Sequence, residues 1–316
     1  MCGIAGLIYK QEEGPIGRDM TEMLHALRHR GPDSTGFALY GANRRADYVA
    51  WVKIEEADRL EDTDYDEYQR EEIVGRIERL GGTVHEFRRV LGYANRVDFS
   101  YPGELKRLID SIEAIDAGVE ITGLGRAMEL VKDVGIARPV SERYDLGSFV
   151  GTHAIGHTRM ATESTVDVSH AHPFWAYPYA DISVVHNGQI TNYWKSRRLL
   201  EHKGHRFRSY CDSELIAVYI AWRLDQGWSL DDALHASLDD LDGVFTYIVA
   251  TERELGVAKD ELAAKPLVVM ESERAVALAS EEVALRTVFD EELPSYDPYD
   301  TVVLSWQKPA AVGALA

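Results

Sequence analysis

Met1-Cys2-Gly3-Ile4-Ala5-Gly6 opens the chain and runs on into Leu7-Ile8-Tyr9. A cysteine directly after the initiator methionine becomes the N-terminal residue once Met1 is removed, which puts a thiol and a free α-amine on one residue. The thiolate is the reactive form, and an amine with an unperturbed pKa of about 8 can take the thiol proton at neutral pH, directly or through a water. Cys2 is therefore a candidate nucleophile that carries its own base. Gly3 and Gly6 flank an apolar pair, and the run reads as a buried strand approached closely by other backbone, with the thiol at its end. A cysteine also falls at position 2 by chance, so the remaining 310 or so residues must decide.

Composition narrows the field. With 316 residues and 45% hydrophobic content the chain can bury one large core or two modest ones. Asp and Glu outnumber Lys and Arg by 53 to 34, a formal charge of −19, which argues against a nucleic-acid or anionic-membrane surface. The only cysteines, Cys2 and Cys211, make no disulfide framework and have no metal-ligand spacing, so a reducing cytoplasm is the expected home. No basic segment followed by a long apolar run opens the chain, and no stretch approaches the roughly 18 apolar residues of a membrane span.

In order, Met20, Met23, Leu24 and Leu27 predict a helix with one buried face, ending in the tight Arg30-Gly31-Pro32-Asp33-Ser34-Thr35-Gly36 loop before a strand at Phe37 to Tyr40. From about 41 to 147 charged runs alternate with amphipathic pieces, a pattern expected of a partly helical insertion. Within it an apolar helical pattern is expected after Gly123-Leu124-Gly125, and that lone glycine pair supports no nucleotide site. Strands ending at His157 and at Val185 would deliver Thr158-Arg159-Met160-Ala161-Thr162 and His186-Asn187-Gly188 to a site. His170 and His172 lack a carboxylate or cysteine at ligand spacing, so no metal is expected. Asp212 reads as an N-cap for a helix carrying Leu215, Ile216, Val218 and Tyr219. Later apolar runs in meanders predict α+β layering with antiparallel sheets.

Taken together and in this order, Met1 to Gly6, Arg30 to Gly36, His157 to Thr162, Ala171-His172-Pro173, His186-Asn187-Gly188 and Cys211-Asp212-Ser213-Glu214 resemble the class II glutamine amidotransferases. Lys265-Pro266-Leu267 and Ala279-Ser280-Glu281 resemble that family's second half. The resemblance implies an N-terminal-nucleophile hydrolase, a four-layer α-β-β-α sandwich of two antiparallel sheets. It further implies that Cys2 attacks the glutamine carboxamide, that Asn187 and the Gly188 N–H hold the oxyanion, and that Arg159 and Asp212 grip the α-carboxylate and α-ammonium. Thr162 and His172 would help fix the substrate, while Arg30 and Gly31 would shape the pocket. Several family members carry an aromatic residue where Met160 stands, so pocket closure is expected to differ here.

The sugar-phosphate, purine and asparagine enzymes of the family continue into a large acceptor domain, whereas this chain stops soon after the hydrolase pattern. Its wording is similar to separate amidotransferase subunits related to glutamate synthase, including those of N-methylglutamate synthase. The resemblance implies glutamine as substrate, no cofactor of its own, and partner synthase subunits that carry the flavin and iron-sulfur chemistry. No nucleic-acid or membrane partner is expected, and a homo-oligomer is left open. Two rivals stand beside it: a free-standing amidase of the same fold, and a non-catalytic glutamine-sensing or scaffold subunit.

Overall fold

The computed structural model describes residues 2–41, 46–54, 63–160, 167–289, 291–299 and 301–309. In chain order the elements are β1 (Gly3–Tyr9), α1 (Ile16–Ala26), β2 (Ser34–Tyr40), β3 (Tyr48–Ile54), α2 (Thr63–Arg79), β4 (Thr83–Arg89), β5 (Ala94–Ser100), α3 (Leu105–Glu113), β6 (Val119–Gly125), β7 (Met128–Val134) and α4 (Ala137–Tyr144). A single 3-10 turn follows. The second half holds β8 (His153–Arg159), β9 (Phe174–Trp175), β10 (Ser183–Ile190), α5 (Tyr193–His202), α6 (Asp212–Asp225), α7 (Leu230–Asp240), β11 (Gly243–Ala250), β12 (Glu254–Lys259), β13 (Val268–Glu271), β14 (Ala275–Ala279), α8 (Glu282–Leu285), β15 (Ser295–Tyr296) and β16 (Val302–Gln307).

Seven strands form one antiparallel sheet in the order β15-β13-β14-β1-β8-β2-β7, and five form a second in the order β16-β12-β11-β10-β9. β1 is central in the first sheet and buried along its whole length. Its residues alternate as a strand requires: Ile4 and Ile8 join the core between the sheets, while Ala5 and Leu7 face the layer of α1, α4 and α8. Both faces are apolar because both are covered. On β10, Val185 joins the core between the sheets, while Val184 and Ile190 pack under α6. The helix α6 is buried from Ser213 to Ala221, which explains why its sequence is apolar all round rather than along one stripe. The expected α-β-β-α sandwich of antiparallel sheets is thus the observed architecture.

Of the stretch 41–147, Tyr48–Gly125 builds a third antiparallel sheet, order β4-β5-β3-β6, with α2 and α3 packed on it. The remainder departs from expectation. Met128–Val134 is a strand, not a helix, and pairs with β2 along seven residues, so β7 is an edge of the large sheet. The sequence hid this because β7 is buried on both faces, which erases the alternation that marks a half-exposed strand. Residues 48–125 are therefore the segment we treat as the insertion.

Candidate active site

Strand register brings the candidate residues to one end of the sandwich. In the β1–β8 pair Gly3 stands opposite Thr158, which leaves Cys2 and Arg159 as the next step outward, and Ser34 of β2 pairs with Arg159 on its other side. Arg159 shares its face of β8 with Ile155 and His157, the face turned toward the second sheet. The Cys2 thiol lies against the backbone that follows Arg159: Met160 N–H points at Cys2 Sγ (3.4 Å), and Met160 O lies 3.7 Å away.

The carbonyl of Cys2 accepts two hydrogen bonds, one from Arg30 Nε at 3.0 Å and one from Asn187 Nδ2 at 3.1 Å. Both lone pairs are thereby used, and the second bond crosses from one sheet to the other. Arg30 also reaches Glu281 Oε1 at 2.5 Å, while its Nη2 is buried with no partner among the described residues. Asn187 Nδ2 lies 3.4 Å from Ser280 Oγ. Gly31 packs on the strand end, where a Cβ would come within 2.5 Å of the Arg159 backbone carbon, so no side chain fits there. Gly188 has φ +139° and a Cβ there would sit 2.1 Å from Val244 O, so both conformation and space call for glycine. His186, Asn187 and Gly188 lie within β10 rather than beyond its end.

Behind this front lies a buried cluster. The His157 and His172 rings stack at 4.1 Å, His172 Nε2 meets Ser213 Oγ at 2.7 Å, and Ser213 Oγ meets His186 Nδ1 at 2.9 Å. His186 Nδ1 in turn lies 3.6 Å from Asp212 Oδ1. Burial pushes the His157 imidazole down to about 3 and the His172 imidazole well below its usual range, so both are neutral at physiological pH. Burial would raise the Asp212 carboxyl, but His186 and the backbone N–H of Ile190 outweigh it and hold the group below the usual carboxylate range. Asp212 is not the N-cap. Cys211 holds that position without a capping side-chain bond, and Asp212 Oδ2 accepts from Ile190 N at 3.0 Å instead. Tertiary demand has overridden the local preference.

The structure thus gathers Cys2, Arg30, Gly31, Arg159, Asn187 and Gly188 at one sheet end, with Asp212 and His172 joined to them through the histidine cluster. Thr162 lies outside the described residues. Five polar residues of this assembly had no role in the sequence reading: His157, His186, Ser213, Ser280 and Glu281. All stood inside quoted motifs, so their presence was visible while their contacts were not. Two cavities, of about 820 and 600 Å³, lie elsewhere, one beside Tyr9 and Arg274 and the other between the insertion and Lys132.

A glutamine amidotransferase domain profile matches residues 157–287. A protein of Methanothermobacter thermautotrophicus (strain Delta H) that bears a provisional glutamine amidotransferase name is 45% identical over 293 residues, covering 92% of this chain and 94% of the relative. This chain belongs to the glutamine amidotransferase family. A second member, the glutamine amidotransferase-like protein GlxB of Rhizobium meliloti, is 35% identical over 314 residues and is covered over 100% of its length. Among solved structures, glutamine phosphoribosylpyrophosphate amidotransferase from B. subtilis, complexed with ADP and GMP, superposes with a TM-score of 0.59 at 19% identity. That likeness covers 96% of this amidotransferase chain and 47% of the B. subtilis chain, and it concerns the fold, which is of the class II, N-terminal-nucleophile type.

Proposed function

We propose that this amidotransferase hydrolyses the side-chain amide of glutamine through Cys2 and supplies the ammonia to a separate synthase-like partner in a reducing cytoplasm. The observation that supports it most is the double anchoring of the Cys2 carbonyl by Arg30 and Asn187, which fixes the residue just before β1 in one orientation with its thiol against Met160 N–H. Removal of Met1 frees the α-amine, which takes the thiol proton. The thiolate attacks the carboxamide carbon, and the oxyanion forms beside Asn187 Nδ2 and Gly188 N–H. Collapse of the tetrahedral species breaks the C–N bond, and the protonated nitrogen leaves as ammonia. Water then attacks the γ-glutamyl thioester, returning the proton to sulfur and releasing glutamate. Arg159 pairs with the substrate α-carboxylate and Asp212 with its α-ammonium, and Thr162 helps to fix the substrate. His172, buried against His157, steadies that pocket from behind.

The acceptor reaction belongs, in this reading, to partner subunits that hold flavin and iron-sulfur groups. Coverage of nearly the full length of two relatives, against 47% of the B. subtilis chain, supports placing acceptor chemistry outside the residues compared. The experiment is to assay ammonia and glutamate release from free L-glutamine beside L-asparagine and γ-substituted amides. Equal ammonia and glutamate with strong preference for glutamine is expected. Equal rates on other amides would contradict the assignment and favour a general amidase.

A further inference from the structure

The Cys2 carbonyl has two donors, and consecutive residues stand behind them. Ser280 Oγ lies 3.4 Å from Asn187 Nδ2, and Glu281 Oε1 lies 2.5 Å from Arg30 Nη1. Both residues are fixed to the nucleophile's own strand, because β14 pairs with β1 and the ladder continues past its end: Ser280 N donates to Ile4 O, and Ile4 N donates to Ser280 Oγ, each at 3.0 Å. Ser280 is 2% exposed. Glu281 additionally takes His29 Nε2 at 2.9 Å, so two side chains of the loop before β2 converge on it.

We propose that Ser280 and Glu281 are a paired positioning device for the N-terminal nucleophile. This rests on the catalytic reading above. Ser280 orients the Asn187 carboxamide so that its NH₂, not its oxygen, faces Cys2. An amide turned the other way would set an acceptor beside an acceptor carbonyl, and would meet a developing oxyanion with repulsion. The 3.1 Å bond to Cys2 is the tighter of the two Asn187 makes, and the 3.4 Å contact to Ser280 fixes the rotation of the carboxamide plane about it. Glu281 does the equivalent for Arg30, locking a long cationic side chain into the one geometry in which Nε meets the carbonyl. Neither residue exchanges a proton with substrate. Each acts through its neighbour, so the rate of the chemical step should change rather than capture of glutamine.

The test is steady-state glutamine hydrolysis by the full chain and by Ser280→Ala, Ser280→Thr and Glu281→Gln, with thermal unfolding run in parallel. For Ser280→Ala, kcat should fall about tenfold, short of the roughly 10² to 10³ that outright removal of an oxyanion donor costs, with KM within about twofold and Tm unchanged. Ser280→Thr, which keeps the hydroxyl, should recover most of the rate, and Glu281→Gln should lose about threefold to tenfold. Glu281 is a third exposed, so Glu281→Gln reports even if Ser280→Ala fails to fold. Active wild-type protein with kcat unchanged in Ser280→Ala and Glu281→Gln, or with KM alone altered, would overturn the positioning pair while leaving the catalytic reading in place. Wild-type protein unable to hydrolyse glutamine would overturn that reading, and this proposal with it.

Discussion

Cys2 and Cys211 are the molecule's two thiols, both free, and the framework treats them differently. The backbone of Cys2 is held from both sheets, with its sulfur beside a backbone N–H. Cys211 precedes α6 with its sulfur 3.8 Å from Asp212 Oδ1, and burial together with that carboxylate pushes its thiol up to about 11. At pH 8 only about one Cys211 in a thousand would be thiolate. In the proposed reading the surroundings of each sulfur set its part: one site fixes a residue by its carbonyl and leaves the thiol to act, while the other suppresses ionisation beside the carboxylate assigned to the substrate ammonium.

Substitutions can break or sharpen that contrast. Cys2→Ala should abolish glutamine hydrolysis, by about a thousandfold or more, with thermal unfolding unchanged. A variant that still releases ammonia would show that sulfur at position 2 is not the nucleophile. Arg159→Ala, in the residue opposite Cys2 across the β1–β8 pair, should weaken glutamine capture by roughly 2 to 5 kcal/mol, seen as a raised KM. An unchanged KM would remove Arg159 from substrate recognition.

The histidine cluster sets the next effect. His157 is neutral when folded and protonates near pH 6.5 when unfolded, so the unfolded state binds more protons in the window between about 6.5 and 3. Stability should therefore be full above that window and fall with pH, by about 2 kcal/mol at pH 5 from this residue alone. Urea unfolding of wild type and His157→Gln at pH 7.5 and pH 5 measures it, and the variant should lose less on acidification. Equal losses would mean that folding leaves the proton affinity of the imidazole unchanged. Smallest of all, Cys211→Ala should leave kcat within about twofold and cost about 1 kcal/mol of stability, read from kinetics and urea unfolding. A large fall in kcat would join the two thiols functionally and dissolve the contrast.

Much of this was legible in the sequence, for identifiable reasons. β1 could be read because its glycines and apolar residues form one unbroken run, and the sandwich because motifs arrive in a fixed order. Roles for Arg30, Asn187 and Arg159 were suggested by the ordered family motifs and not by their local setting, since a planar cation beside a turn reads equally as a plain helix end. Strand β7 was not, being buried on both faces. Asp212 was misread as a cap because local propensity knows nothing of Ile190 and His186. Ser280 and Glu281 were unreadable for a deeper reason: their role depends on β14 lying beside β1, a pairing between residues separated by about 270 positions that no local pattern encodes. The insertion's third sheet was hidden likewise, because its strands pair across helices and a strand such as β4 is too charged to show an apolar alternation.

The most direct test of the central claim is the intact mass of the purified protein before and after 6-diazo-5-oxo-L-norleucine, a glutamine analogue that alkylates such nucleophiles, followed by peptide mapping. The account predicts a chain lacking Met1, a single adduct on Cys2, none on Cys211, and protection by glutamine. A Met1-free protein that takes no label, or takes it on Cys211, would contradict it.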